Sequence, residues 1–463
     1  METNLELFSF DSWKSLIGSC EEDIFYSPYS AYCCMMMAGL LSTGETRRQI
    51  LEALGRIDFN IPNEDIAHQL MSIYDYVEIS KSYQPIEPKS YEKLVDMINK
   101  LDKNVMSKIN QDNIGAFYGL IYKLIKKSQL SGSVEECISI IVQKAYDEFL
   151  RKKRNPKISY EALIREMISK IYVISEATIC GSNDIWPNES LSLPMEKIDI
   201  LQRVLMTNLT PVKFPQPGCD IINSHIKEAT KGLISSIVDP SDLFPSTKIV
   251  LTNAIYFKAS WTNLFKANQT RKLKWNGPKQ YDIDMMHQTS KIMYTENPIF
   301  QAVSLDYNSI PFSMLILLPK SNEIGQLKPL SESLNSEFMK RVVLDMKPTT
   351  VKLAIPKFEA SWGASNLNSM FQSLGIVDIY SDKSEFLNNI DISDVLQKTF
   401  VSVDEEGTEA AAVTAMISRS MVMIPKDEII FKADHPFLYM IRDNRTGIIL
   451  FMGLCINPKI KQK

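Results

Sequence analysis

Residues Val403 to Ala415 read VDEEGTEAAAVTA, and this stretch decides how the rest of the chain is understood. Threonine and a block of alanines are unusual in a surface loop, where Gly, Pro, Asn, Asp and Ser usually dominate. Taken with a period of two, the segment divides into two faces. One face carries Thr408, Ala410, Ala412, Thr414, Met416, Ser418 and Ser420, all uncharged and mostly small. The other carries Glu409, Ala411, Val413, Ala415, Ile417 and Arg419, including both charges. Such a segment is acceptable as the central strand of a sheet, with Gly407 where the chain would bend over. Its alanines fit a helix equally well, and composition leaves both readings open.

Other segments settle the choice. Phe431 to Ile441 reads FKADHPFLYMI, Phe25 to Tyr32 reads FYSPYSAY, Ile222 to Val238 reads INSHIKEATKGLISSIV, and Val250 to Trp261 reads VLTNAIYFKASW. In their order along the chain, and with VDEEGTEAAAVTA ahead of the last apolar run, the set resembles the serpin family, in particular its ovalbumin-like branch. The likeness covers about residues 5–60 and 170–458. It implies an α+β fold of three β-sheets and about nine helices, with an exposed reactive loop over 405–430. The loop hinge would be Glu405, Glu406, Gly407, Thr408, Glu409, Ala410, Ala411 and Ala412. The gate of the main sheet would be Ser27, Ser30, Asn253, Trp261 and Gln397. Two positions depart from the family pattern. Gln397 stands where a histidine is common, and its amide can still donate to Asn253. His225 replaces the usual tryptophan of the INxWV segment.

The composition is that of a large globular protein: 463 residues, 45% hydrophobic and 23% charged, with a formal net charge of −4. The charge argues against nonspecific binding of nucleic acid. Residues 24–41 are apolar enough to imitate a membrane span, but Pro28, two serines and three tyrosines favour a buried helix. No basic region followed by an apolar stretch and a small-residue cleavage site opens the chain. The seven cysteines show no metal-ligand spacing and read as reduced thiols. Together these predict a monomer in the cytoplasm, or outside the cell by a route without a cleaved signal. Asn188, Asn208, Asn268 and Asn444 lie in glycosylation sequons, as a chain rich in Asn, Ser and Thr shows by chance.

Local patterns predict the elements. Phe10, Trp13 and Ile17 give a first amphipathic helix, and Ser27 caps and Pro28 opens the buried one. Thr46 and Gln49 suggest a capping box for a helix that Gly55 ends. Lys248–Phe257, Phe312–Leu318 and Val351–Phe358 read as strands, and Leu330–Leu344 as helical. Phe437–Arg442 and Ile448–Leu454 read as a hairpin across Asn444–Gly447. Between them, about residues 75–165 have no family counterpart. Leu94, Ile98, Leu101, Val105 and Ile109, and then Val134, Ile138, Ile141, Ala145 and Phe149, recur at helical spacing. This predicts a helical insertion within a single serpin domain. Its run Arg151, Lys152, Lys153, Arg154 can bind a polyanion or act as a nuclear address, or can simply be a solvated helix end.

Enzyme readings lack the residues. None of His68, His225, His287 and His435 lies in a zinc-protease, nucleophile-elbow or cysteine-paired context. Asp282 and Asp284 near His287 read as an exposed hairpin in preference to a metal cluster. No cofactor or metal is expected. The resemblance implies a metastable, suicide-substrate inhibitor of a serine protease that is elastase-, chymotrypsin- or trypsin-like. The alternative is a non-inhibitory relative acting as chaperone, carrier or storage protein. Family spacing from Gly407 puts the reactive bond at Met421–Val422, with Arg419–Ser420 as the alternative.

Overall fold

A computed structural model describes residues 4–18, 22–55, 178–193, 209–308, 310–322, 324–408 and 429–459. The chain forms two compact units, Met1–Glu78 with Thr178–Lys463, and Ile79–Ala177. The second unit, and with it the expected helical insertion and basic run, lies outside the described residues.

The first unit is built around helix α2, Pro28–Leu41, after helix α1, Asn4–Leu16, and the short strand β1, Ile24–Tyr26. Every residue of α2 is buried, from Pro28 to Leu41. A helix apolar all round is stable only when covered on all sides. Here α1, helix α3 (Gly44–Ala53) and strands of both sheets provide the cover. Ser27 is the N-cap of α2, its side chain accepting from the Ser30 N–H, and Pro28 follows at the first turn. Helix α3 departs from its expected start. It begins at Gly44, Thr43 makes no side-chain cap, and the Glu385 carboxylate accepts from the Glu45 N–H at 2.6 Å. Thr46 Oγ1 instead accepts from the Glu385 N–H, and Gln49 accepts from Val377 and Asp378.

Strand β2 spans Thr178–Pro187, helix α4 Gly218–Ala229, β3 Ile249–Ser260, β4 Arg271–Asn276, β5 Gln280–Glu296, β6 Phe300–Asp306 and β7 Phe312–Pro319. Helices α5, Ile324–Glu332, and α6, Ser336–Asp345, divide the expected Leu330–Leu344 helix, because the Asn335 side chain caps α6 by accepting from the Phe338 N–H. Then come β8, Lys347–Pro356, β9, Phe358–Asn366, helix α7, Asn368–Ser373, β10, Asp394–Val403, β11, Gly407–Thr408, β12, Ile429–Lys432, β13, Phe437–Asp443, and β14, Ile449–Cys455. The last two form the expected antiparallel hairpin.

Among the described residues the strands form two hydrogen-bonded sheets. The larger has nine strands in the order β1-β14-β13-β7-β6-β5-β8-β12, with β4 also on β5. Strand β5 runs 17 residues and passes from pairing with β8 to pairing with β6. That continuity joins two of the three sheets the resemblance implied. The smaller sheet is β2-β3-β11-β10-β9, with β3 and β10 also paired directly. This second sheet carries the candidate site.

Candidate functional site: the β3/β10 seam and the loop hinge

Strands β3 and β10 run parallel and pair residue for residue from Val250–Asp394 to Tyr256–Phe400. Above that point they part. The two-residue strand β11 lies in the opening, antiparallel to both neighbours: Thr408 is opposite Ala259 on β3 and Val403 on β10. The hinge thus occupies the first rung between two strands that pair directly lower down.

Local chemistry holds it there. A Cβ on Gly407 would sit 2.2 Å from the Ala259 carbonyl oxygen, so no larger residue fits without displacement. Asp404 closes the turn: its N–H donates to the Gly407 carbonyl at 2.9 Å, and its carboxylate accepts from the Glu406 and Gly407 N–H groups. Thr408 is fully buried, with its hydroxyl 2.7 Å from that of Tyr307. Tyr307 stacks on Trp261 with centroids 4.6 Å apart. The Trp261 indole donates to the Asp404 carbonyl at 3.0 Å, so the tryptophan acts as a floor under the turn. Glu405 bonds Lys357 at 2.5 Å and accepts from Thr270 at 2.7 Å. Burial pushes the Glu405 carboxyl up, but these two partners outweigh it and hold it below its usual range. Burial raises the Asp404 carboxyl, opposed by its two backbone donors.

Under the paired part of the seam lies a buried amide cluster. Gln397 Nε2 donates to Asn253 Oδ1 at 2.7 Å and to the Ser27 carbonyl at 3.0 Å, while its Oε1 accepts from the Ser27 N–H at 3.0 Å. Asn253 Nδ2 donates to Ser30 Oγ and to Asn183 Oδ1. Ser27 Oγ donates to the Leu450 carbonyl at 2.7 Å. The cluster therefore ties β3 and β10 to each other, to the start of α2 and to the other sheet. Each polar atom in it is expensive to leave unpaired at this depth. Ser27, Ser30, Asn253 and Gln397 meet in this cluster, whereas Trp261 lies apart at the upper fork. Tyr307, Asp404, Thr270 and Lys357 were not read from the sequence. Tyr307, Thr270 and Lys357 sit in unrelated strands and loops with no motif to mark them, and Asp404, although inside the VDEEGTEAAAVTA stretch, gave no sign of its turn-closing role.

The opposite face of the seam is covered. Ile222 and Ile226 of α4, with Ile234, Ile237, Val238 and Leu243 after it, form one cluster with Trp186 of β2, Val250 and Ala254 of β3 and Leu396 of β10. His225, on the same helix, reaches Asp184 of β2 at 3.2 Å. His435 bonds Asp434 and the Pro319 carbonyl and braces two segments. His287 lies in β5 and contacts the Met285 carbonyl. Among the described residues no group of three or more His, Cys, Asp or Glu is placed to hold a metal ion, and no helix is long and apolar enough to cross a membrane. Residues Glu409 to Ala412 of the expected hinge, and both candidate reactive bonds, lie outside the described residues.

The comparisons with known proteins agree with this geometry. The family profile described as Serpin (serine protease inhibitor) matches residues 142–458. An uncharacterized serpin-like protein of Thermococcus kodakarensis is 38% identical over 288 residues, covering 60% of this chain and 66% of that protein. A leukocyte elastase inhibitor of Xenopus laevis is 36% identical over 249 residues, covering 51% of this chain and 65% of the relative. The chain thus spans just under two-thirds of the length of these two relatives. Among solved structures, human thyroxine-binding globulin superposes with a TM-score of 0.70 at 20% identity, covering 99% of both chains. Uncleaved ovalbumin superposes at 0.64 with 19% identity, covering 99% of this chain and all of that one. These two likenesses speak to fold. With the profile spanning more than half its length, this chain belongs to the serpin family.

Proposed function

We propose that the protein is an inhibitory serpin that traps a serine protease as a covalent acyl-enzyme. In this reading the protease serine Oγ attacks the carbonyl carbon of Met421. The bond to the Val422 nitrogen breaks, the new amine takes up the proton given up by the serine, and an ester links loop and enzyme. The freed N-terminal part of the loop then enters the β3/β10 seam as a new strand, carrying the protease with it. Hydrolysis of the ester competes, so each ~1.4 kcal/mol on the insertion barrier costs about tenfold in the partition.

The observation that carries this reading is the seat of Gly407 and Thr408 between β3 and β10. The nucleus of the added strand exists before any cut. Continued in the same register, Val413 would come opposite Ala254 and Thr414 opposite Asn253. The uncharged face beginning at Thr408 would then point towards the amide cluster. No proline precedes Pro425 and no charge lies on that face. Strand addition of this kind is a recognised mode of serpin loops.

Methionine at the cut suits an apolar primary pocket, and the Xenopus relative named for elastase inhibition supports an elastase-like target. Arg419 would instead suit a trypsin-like pocket through its charge. The buried, unbridged thiols of Cys33, Cys34, Cys219 and Cys455 support a reducing compartment.

The test is incubation with elastase-, chymotrypsin- and trypsin-like enzymes, followed by a denaturing gel and mass spectrometry of the released peptide. An SDS-stable complex and a peptide beginning at Val422 are expected; a peptide beginning at Ser420 would move the bond to Arg419. Cleavage without any complex would assign the chain to the non-inhibitory relatives.

A further inference from the structure

Helix α4 does not merely lie over the sheet by apolar contact; one polar group pins it there. Asp184, on the covered face of β2, is 2% exposed. Its carboxylate accepts from Ser182 Oγ and faces His225 Nε2 at 3.2 Å. The same ring nitrogen is 3.2 Å from Ser182 Oγ, and the imidazole meets Trp186 edge-on at 5.4 Å. A buried carboxylate is costly without a partner of opposite charge, and His225 is the cation available to it. The ring itself is 34% exposed, so it exchanges protons with solvent.

The place of this pair gives it a consequence. The apolar cover formed by α4 and the segment after it touches β2, β3 and β10 at once. A strand entering the seam would part β3 from β10 by about 4.8 Å. Val250 and Ala254 would then move away from Leu396, and the entering strand's side chains would arrive beneath the cover. The cover has to rise, and the pair at Asp184 resists that movement. We propose that His225–Asp184 is a proton-controlled latch that holds α4 down and sets how fast a strand enters the β3/β10 seam. This rests on the insertion reading above and gives that step a control.

The surrounding charges fix the sign. Glu228 on α4 adds to the attraction for a proton on His225. From behind the sheet, the Cys34 thiol is pushed up to about 12 by burial and then by the Asp184 charge. Lys398 of β10 shares the covered face, on the rung of Ala254 and Ser182. Asp239 and Asp242 act at the Cys219 end of the helix. The hydrogen bond to Asp184 raises the His225 value above its ordinary range, with burial working against it. A raised value means that the latch is at full strength below the ordinary histidine range and is lost as pH rises through the folded value.

The test uses the full chain and needs no protease. Hydrogen exchange of α4 amides, corrected for intrinsic rates, is measured at about pH 6 and about pH 8, alongside uptake of a synthetic peptide of sequence TEAAAVTAMISRS. With the imidazole about one-third exposed and so partly screened by solvent, α4 protection should be about three- to fivefold greater at the lower pH and peptide uptake slower by a similar factor. His225→Gln, which keeps a neutral donor, should be flat in both measurements, and Asp184→Asn should follow it. Equal protection of the wild type at both pH values, a pH dependence that survives in His225→Gln, or peptide uptake indifferent to pH would each overturn the proposal. Failure to trap any protease would count against the inhibitor reading instead, and the exchange result would still judge the latch.

Discussion

The two ends of one strand pair are built differently. At its lower end, β3 and β10 bond directly to each other over a buried amide cluster, in which Gln397 and Asn253 also hold the start of α2. At the upper end the same strands part around Gly407 and Thr408, over an aromatic floor of Trp261 and Tyr307. The lower end is expensive to open because each amide broken leaves a buried partner. The upper end is open already, and its first rung is filled by the segment that would continue downward. A sheet locked at one end and primed at the other can admit a strand in only one direction. What would drive the process is the ladder the new strand gains on both sides, on the order of 10 kcal/mol for about a dozen hydrogen bonds.

The largest expected effect follows from that ladder. Cleavage between Met416 and Asp427 should raise the unfolding temperature by roughly 10 to 30 °C. Scanning calorimetry of intact and nicked protein measures it; coincident melts would mean that the upper fork leads nowhere.

Next comes Thr408→Arg. It places a cation where the side chain is fully buried and removes the partner of the Tyr307 hydroxyl. A penalty of several kcal/mol should divert about a hundredfold more of the loop to simple cleavage. Stoichiometry of inhibition reads this directly, and wild-type stoichiometry in the mutant would contradict a buried first rung.

The lower end is probed by Gln397→Leu, which orphans the Ser27 N–H and Asn253 Oδ1 and leaves the Ser27 carbonyl only its bond from the Ala31 N–H. Intact protein should lose about 2–4 kcal/mol in urea unfolding. A neutral result would show that the amides do not lock the seam.

Gly407→Ala sharpens the comparison at the upper end, since its Cβ would press on the Ala259 carbonyl. Expelling the hinge from the fork should slow insertion about tenfold, equivalent to ~1.4 kcal/mol, while initial cleavage continues. Rapid quenching of the reaction with a trapped protease separates the two steps.

The smallest effect concerns Glu405 and Lys357. The carboxyl is held below its usual range, so its contribution is present above the ordinary glutamate value and is lost as pH falls through the folded one. Lys357→Met should cost about 0.5–1 kcal/mol near neutrality and flatten that acid limb. Unfolding free energy followed downward from neutral pH measures both.

Much of this was legible in the sequence where the signal is local. Ser27 and Pro28 mark the start of α2, short runs of apolar and β-branched residues mark β3 and β7, and the turn at Asn444–Gly447 marks the C-terminal hairpin. The pairing of Gln397 with Asn253 followed from family resemblance, not from spacing, because 144 residues separate them. Other features left no local trace. The cap of α3 comes from Glu385, 340 residues downstream, and so Thr46 and Gln49 suggested a capping box that the fold does not use. The seat of Thr408 depends on Tyr307, 101 residues away, and the partner of His225 lies on another strand. Periodicity reports which face of an element is buried; it does not report what the buried face meets.

The central claim is that the strand begun at Gly407 and Thr408 continues between β3 and β10 once the loop is cut. A crystal structure of the cleaved protein tests it most directly. The account predicts residues 408–420 as a central antiparallel strand, with Thr414 opposite Asn253 and Gln397 separated from Asn253 by one strand. Cleaved protein in which Gln397 still bonds Asn253, with β3 and β10 paired as they are in the intact chain, would contradict it.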